Sequence, residues 1–93
     1  MIKTFKCKET EKIFYREYSR KLPRDIQKAA FRKLRMIDKS KTLIDLKVPP
    51  ANRLEKLSGK RKEQYSIRIN NQWRICFEWI DNNALRVEIT DYH

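Results

Sequence analysis

The sequence is poor in several residue types, and each scarcity argues against a class of protein. Its 93 residues include one glycine, one histidine and two cysteines. Cys7 and Cys76 lie far apart without CxxC spacing, so with a single histidine they argue against a zinc site. No apolar run approaches the roughly 18 residues that span a membrane, and the N-terminus lacks the apolar stretch of a signal peptide. We therefore expect a cytoplasmic protein with free cysteines, no metal or other cofactor, and no membrane association.

Positive charge, in contrast, is abundant. The chain carries 23 Lys and Arg against 12 Asp and Glu, a formal net charge of +11. Such an excess indicates a polyanionic partner, although a strongly solvated surface is the alternative explanation. The length predicts a single domain over residues 1–93, large enough for one core but not for a deep enclosed cavity. Any site should therefore be an open surface or a shallow groove.

The N-terminal half predicts a short strand over residues 2–7 followed by two helices. The first helix begins at Lys8 and continues to Tyr18. The second lies within residues 21–40, where Pro23 suits the first turn of a helix. Its apolar residues recur at spacings of four, four and three and so form one stripe: Ile26, Ala30, Leu34 and Ile37.

The C-terminal third predicts a sheet. Apolar and polar residues alternate over residues 65–70, 73–79 and 85–90, which is typical of half-buried strands joined by short turns. A further strand is expected at residues 53–57. The fold class is therefore α+β: a small antiparallel sheet of about four strands, ending in a three-strand meander, with both helices packed on its apolar face.

The first hairpin of the meander is expected to bring two like charges together. Apolar pairing across a turn at residues 70–72 sets Arg68 directly opposite Arg74, because a slip of one residue would turn every side chain over. Like charges in this position destabilise a sheet, but guanidinium groups grip phosphate with two parallel hydrogen bonds. A bound anion would therefore explain the pair. The alternative is that Glu55 or Glu88 neutralises it, with Glu55 placed beside Arg68.

The second hairpin joins this polar face to the end of the chain. The same apolar pairing sets Glu78 opposite Arg86 and brings Thr90 beside Arg74, with Tyr92 diagonal to Arg74 and His93 just beyond. Cleavage of RNA through its own 2′-hydroxyl needs a base, an acid and positive charge around the phosphorus, and it needs no metal. A terminal histidine alone would suggest a frayed end, but beside these groups it becomes a candidate for such chemistry.

Three segments carry a resemblance to a known family: PPANRLEKLSG at residues 49–59, QYSIRINNQWRICFEW at 64–79 and VEITDYH at 87–93. In order and spacing they resemble HigB-type toxins of the RelE-like superfamily. The resemblance implies a small sheet backed by helices and an endoribonuclease that cuts mRNA in the ribosomal A site. It also implies a HigA-like helix-turn-helix antitoxin as the partner that restrains the toxin.

The resemblance also implies roles for individual residues. Arg68 and Arg74 would stabilise the scissile phosphate, Tyr92 would stack on or orient a base, and His93 would act as acid or base. Asp91 would assist in positioning.

One segment departs from part of the family. Some HigB-like members carry a histidine and a lysine at the place of residues 54–58, where this chain has Glu55 and Ser58. A glutamate there resembles the general base of YoeB-like relatives. We therefore assign Glu55 as the base and His93 as the acid.

Basic residues away from the sheet suggest a second role for charge. We expect six of them to hold the protein against ribosomal RNA phosphates: Lys28, Arg32, Arg35, Lys60, Arg61 and Lys62. An ordinary solvated surface is the alternative. Two other functions also fit the sequence, a non-catalytic RNA- or ribosome-binding module and a protein-interaction domain that adds a strand to an exposed sheet edge.

Overall fold

The computed structural model describes residues 1–57 and 63–91 and confirms the α+β class. Its four strands form one antiparallel sheet in which strands that follow one another in sequence are neighbours. Two short 3-10 turns, Leu43–Lys47 and Pro50–Asn52, connect the helices to the sheet. The helices and strands are α1 (Lys8–Phe14), α2 (Arg24–Lys39), β1 (Glu55–Lys56), β2 (Gln64–Arg68), β3 (Trp73–Ile80) and β4 (Asn83–Asp91).

Both helices pack on the apolar face of the sheet. The predicted stripe of α2 is buried in full and meets the inward side chains of the central strands. In β2 and β3 these are Ile67, Ile75 and Phe77, each at most 1% exposed. Burial of an aromatic or branched side chain of this kind contributes roughly 1.5–3 kcal/mol. Within the described residues, no helix combines the length and apolar character needed to cross a bilayer.

Three elements differ from the sequence prediction. Residues 2–7 do not form a regular strand but run parallel to β4 through two isolated bridges, from Ile2 to Ala84 and from Phe5 to Val87. Helix α1 ends at Phe14, because Arg16 takes the left-handed conformation at φ 65° and breaks the helical path. Strand β1 contains only two of the five predicted residues, since the backbone just before it is also left-handed.

The register of the meander agrees with the prediction at one end and differs at the other. Arg68 lies opposite Arg74, and Arg74 lies opposite Thr90, as predicted. Between Cys76 and Glu78 the ladder to β4 shifts by one residue. Glu78 therefore faces Leu85 instead of Arg86. The extra residue of the bulge lies on β4, where Arg86 has φ 50°.

The bulge reverses which side chains at the start of β4 face the core. Ala84 becomes fully buried, whereas Leu85, expected in the core, is only half-buried. The predicted charge pair survives the shift, because Arg86 Nε still lies 3.5 Å from Glu78 Oε2.

The connector before β1 is fixed by one buried amide. Asn52 is fully buried, and its Nδ2 donates to the carbonyl oxygens of Leu46 at 3.1 Å and Val48 at 3.3 Å. Its Oδ1 accepts a hydrogen bond from Lys33 Nζ on α2. These bonds set the path of the chain into Arg53 and β1, and hence one wall of the site described next.

Candidate active site

A cleft of about 340 Å³ opens on the polar face of the sheet. Strand β1, strand β2 and the β2–β3 turn supply its walls, and β3 supplies its floor, so segments distant in sequence meet there. Its lining residues are Arg53, Glu55, Arg68, Asn70, Asn71 and Arg74. The cleft therefore brings together three of the predicted site residues: Glu55, Arg68 and Arg74.

Arg74 forms the floor of this cleft and is held in place by several hydrogen bonds. Only 7% of the residue is exposed. Its Nε donates to Ser66 Oγ at 2.8 Å, and its Nη2 donates to the carbonyl oxygens of Arg53 at 2.6 Å and Ser66 at 3.2 Å. Ser66 lies diagonally across the β2–β3 ladder, within reach of a long side chain. The guanidinium group is therefore a fixed charge.

Glu55 stands beside that floor. Its Oε2 lies 3.9 Å from Arg74 Nη2, and its side chain is 54% exposed. The sequence placed Glu55 next to Arg68, but β1 pairs it with Ser66, which directs it toward Arg74. Glu55 thus offsets part of the positive charge, as the alternative interpretation expected, while Glu88 instead pairs with Lys6 at 3.4 Å.

Arg68 is held by the turn that follows β2. Its Nε donates to the carbonyl oxygen of Asn70 at 3.1 Å, and its Nη2 donates to Asn71 Oδ1. The turn itself is closed by Asn70 Oδ1, which accepts from the backbone N–H groups of Gln72 and Trp73. Asparagine side chains favour such turns because they mimic a backbone acceptor. The Asn-rich turn thereby orients Arg68 toward the cleft.

The last strand brings Thr90, but not Asp91, to the face of the cleft. Asp91 lies opposite Trp73 at the end of β4. Successive side chains of a strand point to opposite faces, so Asp91 lies on the face of Trp73. There its Oδ2 accepts a hydrogen bond from Gln72 Nε2 at 3.0 Å. The predicted site residues Tyr92 and His93 fall outside the described residues.

The predicted RNA-binding residues of α2 lie away from the cleft. Lys28, Arg32 and Arg35 are exposed, on a helix that covers the opposite face of the sheet. Arg35 also stacks over the ring of Phe14, with its Cζ 5.4 Å from the ring centroid. The other three predicted contacts lie outside the described residues: Lys60, Arg61 and Lys62.

Four residues of the site were not predicted: Arg53, Ser66, Asn70 and Asn71. Ser66 could have been found, because the predicted register already sets it diagonal to Arg74. Arg53 could not, since nothing in its sequence context indicates its left-handed backbone. Within residues 1–57 and 63–91, no group of three or more His, Cys, Asp or Glu is placed to hold a metal ion.

Comparison with known proteins gives concordant matches. A family model described as RelE-like toxin of type II toxin-antitoxin system HigB matches residues 3–93. The chain is 42% identical over 82 residues to Toxin HigB-1 of Vibrio cholerae, covering 87% of this chain and 86% of that protein. It is 31% identical over 94 residues to Endoribonuclease HigB of Proteus vulgaris, covering 100% of both.

A solved structure supports the fold. A chain of the YoeB-YefM complex from Staphylococcus aureus superimposes with a TM-score of 0.61, covering 100% of this chain and 98% of that one. Because the two are only 20% identical, the likeness concerns the fold alone.

Proposed function

The chain belongs to the HigB-like family of RelE-type toxins, and from that premise we propose that it is an endoribonuclease that cuts mRNA in the ribosomal A site and so inhibits translation. The name of the Proteus vulgaris relative supports the activity. The observation that carries the proposal is the cleft, where Glu55 lies 3.9 Å from Arg74 and Arg68 lines the same space. A base candidate and two cations are thereby brought together.

In the proposed reaction, Glu55 takes the proton of a ribose 2′-hydroxyl. The 2′-oxygen then attacks the adjacent phosphorus, and the bond from phosphorus to the 5′-oxygen breaks. His93 donates a proton to that leaving oxygen. The products are a 2′,3′-cyclic phosphate and a 5′-hydroxyl end, and the sequence of steps needs no metal.

The remaining site residues have supporting roles in this proposal. Arg68 and Arg74 stabilise the extra negative charge that develops on the phosphate in the transition state. A guanidinium group already fixed by protein hydrogen bonds, as that of Arg74 is, need not reorganise during the reaction. Tyr92 stacks on or orients a base. Asp91 assists in positioning from the opposite face of the sheet, where it accepts a hydrogen bond from Gln72.

The proposed partners are the ribosome, its mRNA and an antitoxin. A further solved structure, the heterotetrameric YoeB-YefM toxin-antitoxin complex from Staphylococcus aureus, supports an antitoxin for this fold. We assign a HigA-like helix-turn-helix protein to that role. The exposed cations of α2, together with Lys60, Arg61 and Lys62, would bind ribosomal RNA phosphates. The protein would act in the cytoplasm.

Mapping of mRNA 5′ ends after brief expression tests the catalytic proposal. The wild type should create new 5′-hydroxyl ends within translated regions. Glu55→Gln should reduce them by roughly 10²–10⁴-fold, because it removes a base while keeping the size of the side chain. Loss of His93 should also abolish them. Glu17→Gln is the matched control, since Glu17 is an exposed carboxylate on the helix side of the molecule.

The same variants separate the competing functions. A non-catalytic RNA-binding module would lose function on charge reversal at Lys28 and Arg32, yet keep it in Glu55→Gln. Growth arrest that persists after both Glu55→Gln and removal of His93 would refute the nuclease. Cleavage of naked mRNA by purified protein, as fast as on ribosomes, would refute only the ribosome dependence.

A further inference from the structure

Among the described residues, Arg53 is the arginine of the cleft whose guanidinium group has no protein partner. Arg68 donates to the β2–β3 turn, and Arg74 is buried among its acceptors. Arg53 is exposed and lines the same cleft, but its guanidinium group makes no hydrogen bond or ion pair within residues 1–57 and 63–91. A cation in that state is available to a ligand.

Three arginines share this cleft. Arg68 lies opposite Arg74 across the β2–β3 ladder, and Arg53 lines the same cleft while its carbonyl oxygen accepts a hydrogen bond from Arg74 Nη2 at 2.6 Å. Among the described residues that line the cleft, Glu55 supplies the single negative charge. Such a cluster of positive charges is unfavourable alone and is stabilised by an extended polyanion.

The backbone of Arg53 adds an independent observation. It has φ 45° and ψ 57°, in the left-handed region. In this conformation its carbonyl oxygen accepts the bond from Arg74 Nη2 while its side chain lines the cleft. A non-glycine residue in that region carries backbone strain, and strain of this kind clusters at functional sites.

We propose that Arg53 binds an RNA phosphate in the cleft, on the β1 side of the phosphate held by Arg68. This assignment rests on the proposed function for the nature of the ligand. It extends the binding surface from the scissile phosphate to its neighbour. Arg53 would then have two roles: its side chain contacts the substrate, and its backbone carbonyl positions Arg74 at the floor of the cleft.

Substitution of Arg53 can remove the side chain without disturbing the fold. Glycine adopts a left-handed backbone at no steric cost, and asparagine tolerates it well. Arg53→Gly and Arg53→Asn should therefore preserve the hydrogen bond from Arg74 Nη2 to the backbone carbonyl of residue 53 while removing the charge of the side chain. Arg53→Lys retains the charge but not the paired donors. The matched control is Arg20→Gly, which deletes an exposed arginine that also lies outside any helix or strand.

The experiment measures binding of a short single-stranded RNA whose 2′-hydroxyls are methylated so that it cannot be cut. Affinity is determined for free RNA and for RNA held on ribosomes, with KCl varied from about 50 to 200 mM. Arg53→Gly and Arg53→Asn should weaken binding roughly tenfold or more, as loss of a charged hydrogen bond predicts. Each should flatten the slope of log affinity against log salt by about 0.7, the value for one phosphate on a single strand. Arg53→Lys should retain the slope, and Arg20→Gly should match the wild type.

The outcomes separate this inference from the nuclease itself. Wild-type slope and affinity in both neutral variants, with cleavage intact, would overturn the Arg53 contact and leave the proposed function standing. Weakened binding in those variants, together with a wild type that produces no new 5′ ends, would support the contact and reject the nuclease. A wild type that binds neither form of RNA would reject both.

Discussion

Replacement of Ser66 by alanine should destabilise the protein through Arg74. The serine is fully buried, and its Oγ accepts the Nε–H of Arg74 at 2.8 Å. The Arg74 side chain is only 9% exposed, so water has little access to replace the lost acceptor. The substitution removes one oxygen and leaves a charged donor without that partner.

The expected loss follows from the type of bond. A hydrogen bond to a charged group contributes about 1.5–3 kcal/mol, against about 0.5–1.5 kcal/mol for a neutral one. Ser66→Ala should therefore lower the free energy of unfolding by about 1.5–3 kcal/mol. For a domain of this size that corresponds to a fall in Tm of roughly 6–24 °C. Ser40→Ala is the control, because Ser40 is also buried but its Oγ donates to a neutral carbonyl, that of Met36, at 2.8 Å.

Urea denaturation of a double-mutant cycle isolates the pair. Midpoints should shift without a change in the m-value. In an Arg74→Met background the hydroxyl has no cation to accept from, so Ser66→Ala should cost much less. The coupling between the two positions should lie in the range of about 0.5–3 kcal/mol that is usual for residues in contact. A Ser66→Ala loss no greater than that of Ser40→Ala, or additive effects across the cycle, would refute the reasoning.

Three other substitutions test the fold that supports the cleft. Asn52→Ala should lower the free energy of unfolding by about 2–3 kcal/mol in urea, because the carbonyl oxygens of Leu46 and Val48 lose their amide donor and Lys33 Nζ loses its acceptor; a loss under about 0.5 kcal/mol would contradict this. The backbone N–H groups of Thr42 and Lys41 lower the pKa of the Asp45 carboxyl, so its stabilisation is present above the unfolded pKa and lost as pH falls through the folded one. Asp45→Asn should therefore lower the urea midpoint most at neutral pH and least in strong acid, and an equal difference at both would count against the assignment. Phe77→Ala, at a residue 1% exposed, should cost about 3–5 kcal/mol by calorimetry, and a loss under about 2 kcal/mol would show that the core collapses around the gap.

The parts of the fold that were predicted correctly are those where the apolar pattern admits one solution. In the hairpin of β2 and β3, strict alternation on both strands allows only pairings of one parity. That parity, together with a turn at residues 70–72, fixed Arg68 opposite Arg74. Helix α2 was predicted equally well, because its stripe is continuous over about three turns and every member is buried.

Three of the four errors share a physical cause; the exception is the strand predicted over residues 2–7. Arg16, Arg53 and Arg86 all take positive φ, and they end α1, shorten β1 and form the bulge of β4. The sequence signals for such a backbone are glycine, asparagine and aspartate. An arginine in this conformation gives no warning, because tertiary contacts impose it. At the bulge the pattern was also ambiguous, since Ala84 and Leu85 are both apolar and either one satisfies the core.

The structure brings Glu55, Arg68 and Arg74 to one cleft, as the sequence predicted, but it places Asp91 on the other face of the sheet. Pattern reasoning treated Arg74 as a surface cation, whereas its burial depends on the depth of the sheet and the path of the connector before β1. Neither of these appears in the alternation of residues.

The burial of Arg74 explains how one arginine serves both the fold and the proposed chemistry. Removing a guanidinium group from water is costly unless hydrogen bonds and an opposite charge replace its hydration. Ser66, the Arg53 carbonyl and Glu55 supply those replacements. Once they are in place, the positive charge acts through the protein instead of through water, where it would be screened. A fully exposed arginine could reach the same phosphate, but it would have to lose both its hydration and its rotamer freedom at each turnover. Arg74 loses its hydration and its rotamer freedom once, when the protein folds. We therefore expect conservative changes around Arg74 to affect catalysis more than RNA binding.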